Sequence, residues 1–109
     1  MDTRIIIDKE QKNRFCEAAD KFDTYCRKNK ITLKNILVIF SNNVNFIKEV
    51  AENIPKGTVV INVTENLSEQ HIIGSLKYVA DICFLRNDVN TIVSRIIKVS
   101  NQNKIKVRI

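Results

Sequence analysis

Proline occurs once and glycine twice in this chain of 109 residues, and tryptophan is absent. So little proline and glycine excludes collagen-like, low-complexity and glycine-rich linker chains. It also excludes the glycine-built ligand loops. With only Gly57 and Gly74 there is no GxxxxGK[ST] phosphate loop, no GxGxxG turn and no GxSxG nucleophile elbow. The longest continuous apolar runs, such as ILVIF at 36–40, are far too short to span a membrane. The opening MDTRIIIDKEQ lacks the layout of a secretory signal.

Histidine is equally scarce. His71 stands alone, so a zinc site lacks ligands and any Ser-His-Asp or Cys-His arrangement would have to recruit that one ring. Its place in the first turns of a predicted helix suits a solvated or hydrogen-bonded histidine. Cys16, Cys26 and Cys83 form an odd set with no CxxC. Cys16 and Cys26 fall ten residues apart on one predicted helix, about 15 Å along its axis, and cannot bridge there. The expectation is three small, mostly buried thiols in a reducing, cytoplasmic setting, with no metal and no cofactor. Paired carboxylates and receiver-like aspartates at strand ends are also missing: no aspartate ends ILVIF or TVVINVT. The chain therefore leans away from enzyme chemistry.

What is present is an ordinary globular composition, 44% hydrophobic and 28% charged, sufficient for one domain over 1–109. The net charge of +6 is unevenly spread. Residues 24–48 carry Arg27, Lys28, Lys30, Lys34 and Lys48 with no acid. Residues 89–109 carry Arg95, Lys98, Lys104, Lys106 and Arg108 with no acid. Two acid-free basic segments can attract phosphate, in DNA, RNA or an acidic protein partner. No aromatics interleave with them, so a base-stacking platform is not expected.

Strands and helices alternate along the chain. Arg4–Ile7 reads as a strand ended by Asp8, which with Gln11 suggests a capping box. Phe15, Ala18, Ala19, Phe22 and Cys26 recur at helical spacing, giving a helix over 9–28 stopped at Asn29. ILVIF is a continuous apolar strand, as expected when both faces are covered. Ile47, Val50, Ala51 and Ile54 mark the next helix, before Pro55. TVVINVT (58–64) is a strand. Asn66 with Glu69 suggests a second capping box, and Ile72, Ile73 and Leu76 a helix core face. DICFL (81–85) is a strand. Over 89–99, Val89, Ile92, Val93, Ile96 and Ile97 fit one helix face, while seven β-branched residues among eleven favour a strand. Periodicity is the stronger signal. KIKVRI (104–109) alternates as a last, half-exposed strand, with Lys104, Lys106 and Arg108 on one side. Its apolar side could pair with a second copy, and its lysines suit an edge that must not aggregate. The whole predicts an α/β domain: a mostly parallel sheet of about five strands with helices on both faces, in three layers.

Parallel sheets hold ligands beyond the carboxyl ends of their strands. The residues there form a polar rim: Asp8; Ser41, Asn42 and Asn43; Thr64, Glu65 and Asn66; Arg86 and Asp88. Helix caps need the same residue types. A small flavodoxin-like regulatory domain binding phosphate or a nucleotide at this rim is the second reading.

The order of segments resembles the second half of RecA-type ATPases of the KaiC and RadA branch. RIIID, a long helix and ILVIF resemble the strand–helix–Walker B segment. TVVINVTEN resembles the next strand of that fold. GSLKYVADICFLRND and SRIIKVSNQNKIKVRI resemble its C-terminal strands. The phosphate-loop half is missing, and Phe40 and Ser41 stand where the Walker B aspartate belongs. Glu65 matches an acid after the next strand. Lys98 matches a lysine that reaches a neighbour's nucleotide, with Ser100 and Asn101 in place of the arginine and glycine beside it. The resemblance implies a strand at 91–99 and an ATPase-dead protein that acts by binding partners or nucleic acid. The first expectation is therefore a non-catalytic interaction protein using its basic segments.

Overall fold

The computed structural model describes residues 3–32 and 34–108, of which 3–4 and 103–108 are described by backbone alone. The elements alternate: β1 (Thr3–Ile7), a 3-10 turn (Lys9–Gln11), α1 (Lys12–Lys28), β2 (Ile36–Phe40), α2 (Val44–Glu52), β3 (Val59–Thr64), α3 (Glu69–Ser75), β4 (Asp81–Phe84) and α4 (Val89–Arg108). The four strands form one all-parallel sheet in the order β1-β2-β3-β4.

Every residue of β2 is buried. Alternate residues of a strand point to opposite faces, so a continuous apolar run feeds two cores. Ile36, Val38 and Phe40 pack with Phe15, Ala19, Phe22 and Cys26 of α1 and with Ile92, Val93 and Ile96 of α4. Leu37 and Ile39 pack with Ile47 of α2, Val60, Val79 and Ile82, and Ile72 of α3 joins them. The strand order advances in one direction while α1 and α2 join different cores. The β1–α1–β2 crossover therefore has the opposite hand to the next one, against a strong general bias to one hand. Their loops splay apart at the carboxyl ends of β1 and β2.

α1 ends in a Schellman motif. Ile31 N–H reaches Cys26 O at 2.8 Å and Lys30 N–H reaches Arg27 O at 3.2 Å. Lys30 holds the left-handed position (φ 54°) that glycine usually takes. Gly57 does take it, at φ 89°, in the turn before β3.

Several expectations need correction. Residues 104–108 are helix, not strand. Neither glycine nor proline interrupts 89–108, and Ile92, Val93 and Ile96 anchor one face of that helix in the core, so it continues. Among the described residues the sheet has four strands, not about five, without the flavodoxin-like reversal of order. A basic ridge at period two does not exist on a helix, and pairing of a second copy through 104–109 has no strand to act through. Ile109 lies outside the described residues. The helix favoured by periodicity at 89–99 forms. Asp8 caps the 3-10 turn, accepting from Glu10 N–H at 3.1 Å, but Gln11 does not complete a box; its Oε1 accepts from Asn42 N–H at 2.8 Å. Ser68, not Asn66, caps α3, because Asn66 is spent on an Asx turn to Ser68 N–H. Ile73 and Leu76 are exposed, because α3 turns His71 and Ser75 inward instead.

Candidate functional site

The splaying point between β1 and β2 is where a sheet of this kind would hold a ligand. Here side chains fill it by bonding to one another. Asp8 and Ser41 are both buried, and the Ser41 hydroxyl donates to Asp8 Oδ2 at 2.8 Å. Ser41 Oγ in turn accepts from Asn43 N–H at 2.9 Å. Asn43 caps α2 by accepting from Asn45 N–H at 2.9 Å. Asn42 Oδ1 accepts from Thr64 Oγ at 2.8 Å and from Glu65 N–H at 2.7 Å. Glu65 Oε1 accepts from Asn42 Nδ2 at 3.2 Å and from Arg14 Nε at 2.9 Å. Thr64 Oγ accepts from Asn66 N–H at 3.0 Å. Seven of the nine rim residues thus fall into two bonded sets, Asp8, Ser41 and Asn43 in one and Asn42, Thr64, Glu65 and Asn66 in the other; Gln11 links them into one network, its N–H donating to Asp8 O at 2.9 Å and its Oε1 accepting from Asn42 N–H. Arg86 and Asp88 share the end but not the network. Asp88 caps α4, and the Thr91 N–H it accepts holds its carboxyl below the usual range. Arg14 is the rim residue that sequence reasoning missed; its partner lies 51 positions away and no local signal marks it.

Beside the rim a cleft of about 480 Å³ opens between α1 and α4, floored by Phe22, Phe40 and Ile92 and flanked by Arg14 and Asp88. It contains no nucleophile with a base in reach. Among the described residues no group of three or more His, Cys, Asp or Glu is placed to hold a metal. Cys26 and Cys83 are buried and Cys16 is exposed, all as free thiols. Burial, with the Asp81 charge adding to it, pushes the Cys83 thiol up to about 11. It therefore stays protonated and unreactive.

The single histidine belongs to a second buried set. Asn62 is fully buried on β3, and its amide nitrogen donates to Ile39 O at 3.0 Å and Ser41 O at 3.1 Å. Two carbonyls at that side fix the amide orientation, so Asn62 Oδ1 faces His71 Nε2 at 2.9 Å. His71 Nε2 must then carry the hydrogen; Ser75 Oγ sits 3.3 Å from the same nitrogen. His71 Nδ1 is buried without a partner. Burial lowers the His71 pKa from its ordinary 6.5. The unfolded chain binds the proton that the folded ring refuses, so stability is full above about pH 6.5 and falls below it until the folded pKa is passed. The expected slope in that window approaches 1.4 kcal/mol per pH unit. Urea unfolding of wild type and His71→Leu from pH 7.5 to 5 checks this, and parallel profiles would refute it.

The basic residues gather at the opposite end. α1 leads from the carboxyl end of β1 to the amino end of β2, which brings Arg27, Lys28, Lys30 and Lys34 to the amino ends of the strands. α4 returns from the carboxyl end of β4, and by Arg95 it has reached Asp81, the first residue of β4. Lys98 and the helix carrying Lys104, Lys106 and Arg108 lie beyond that point. Arg27 pairs with Asp23 at 2.8 Å, and Arg95 grips Asp81 with two nitrogens, which raises its own pKa. Lys28, Lys30, Lys34 and Lys98 are exposed. Sequence reading missed Lys56 and Lys77, which share this end, because residues 49–88 also carry six acids. No family model, no curated protein and no solved structure matches the chain.

Proposed function

We propose that this is a non-catalytic binding protein that engages nucleic acid through the basic end of its sheet. The observation that carries the reading is that Arg27, Lys28, Lys30 and Lys34 of one acid-free segment and Lys98 of the other, far apart in sequence, lie at the same pole. The opposite pole argues against the phosphate-binding alternative, because most of its polar side chains are spent on one another. The resemblance to an ATPase-dead RecA-type chain is no part of this reading, because it implies a strand at 91–99 where α4 runs as helix.

Fluorescence anisotropy with labelled DNA and RNA across a salt series tests this. Affinity is expected to fall steeply with salt. Neutralising Lys28, Lys30, Lys34 and Lys98 together should reduce the log–log slope by about 3 to 4. Absence of binding at about 50 mM salt, or an unchanged slope in the variant, would overturn the reading.

A further inference from the structure

We propose that the binding surface is the whole amino end of the sheet, including Lys56 and Lys77, and that it cradles the phosphate backbones of a double-stranded nucleic acid. This rests on the function proposed above and narrows it to a surface and a ligand form.

Topology supplies the first argument. Three crossover loops lie at this end: 29–35, 53–58 and 76–80. Among their residues are Lys30, Lys34, Lys56 and Lys77, and no aspartate or glutamate. All four lysines are exposed. At the other end the loops mix both signs: Asp8, Glu10, Glu65 and Asp88 with Lys9 and Arg86. The segregation is therefore between two poles of the fold, not only between blocks of sequence. Of the acids that border the basic pole, Asp23 and Asp81 are each held by an arginine, while Glu52 closes α2 beside it. Lys30 also keeps a left-handed backbone position that glycine would fill with less strain.

Size supplies the second. Neighbouring strands lie about 4.8 Å apart, so the end of a four-stranded sheet is roughly 15 Å wide. A duplex presents one charge per roughly 1.7 Å of axis, so several phosphates face such a pole at once.

The aromatic residues decide between duplex and single strand. Single-strand binders stack bases on free aromatic rings. This chain has five phenylalanines and two tyrosines, and all seven pack against the two cores. Tyr78, in one of the three loops, packs inward against the α2 core. Lysines without rings favour the ligand with the higher charge density.

The experiment is a salt series by anisotropy on duplexes of about 20 base pairs, in DNA and RNA forms, and on their separated strands. The proteins are wild type, K56Q/K77Q, K30Q/K34Q and, as a control at the opposite pole, K9Q/K12Q. Melting curves verify that each is folded. The expected result is a slope reduced by about 2 in K56Q/K77Q and in K30Q/K34Q, none in K9Q/K12Q, and duplex bound at least about tenfold tighter than single strand. The two duplex arms then tell DNA from RNA. If K30Q/K34Q lowers the slope and K56Q/K77Q does not, this inference fails and the proposed function stands. An equal loss in K9Q/K12Q, or single strands bound as tightly as duplex, also overturns it. If wild type binds nothing, the proposed function itself falls.

Discussion

Phe40→Ala is expected to lower the free energy of unfolding by about 3–5 kcal/mol, a large share of the stability of a domain this size. Phe40 closes β2 and is 1% exposed. Phe15 and Phe22 from α1 meet it edge-on, with ring centroids 6.0 and 6.3 Å away. Such pairs add about 0.5–1.5 kcal/mol each beyond the buried area. The cavity left by alanine cannot collapse easily, because the sheet backbone is paired on both sides of β2. Ile73→Ala is the matched control: Ile73 is 57% exposed and its loss should stay within about 0.5 kcal/mol. Urea unfolding followed by circular dichroism measures both. A Phe40→Ala loss near that of Ile73→Ala would show that α1 is not docked on β2.

Asn62→Ala is expected to cost about 2–4 kcal/mol, for a different reason. The change removes little apolar area. It strips a buried partner from Ile39 O, Ser41 O and His71 Nε2 at once. Buried polar groups without partners are costly, whereas replacing both members of a pair is much less so. The double variant Asn62→Ala/His71→Leu should therefore lose less than the sum of its two single variants, with a coupling energy of about 1–3 kcal/mol. It should also flatten the pH dependence between neutral and mildly acid conditions, because the ring that refuses a proton is gone. Purely additive losses would mean that the Asn62–His71 bond carries no weight in the fold.

Much of the secondary structure was legible along the chain because it is written locally. ILVIF has the length and continuity of a strand covered on both faces, and Phe15, Ala18, Ala19, Phe22 and Cys26 have the spacing of one helix face. The exceptions are instructive. KIKVRI alternates like a strand, but α4 has no breaker before it, and helix propagation continued through the alternation. Ile73 and Leu76 looked like core at helical spacing, but Asn62 on the covering face of β3 drew His71 and Ser75 inward.

The site residues divide in the same way. That Asp8, Ser41, Asn42, Thr64 and Glu65 lie at strand ends follows from the order of elements. That they saturate one another follows only from distances across the sheet, between residues 21 to 51 positions apart. The sequence by itself determined the α/β class, the absence of the familiar catalytic loops and the two acid-free basic segments, because composition and short-range spacing carry these. Only the tertiary structure decided the strand order, the buried Asn62–His71 pair and the pole at which the lysines meet. Each of these depends on which crossover passes which face, and parallel strands are joined by connections too long for local pattern to encode.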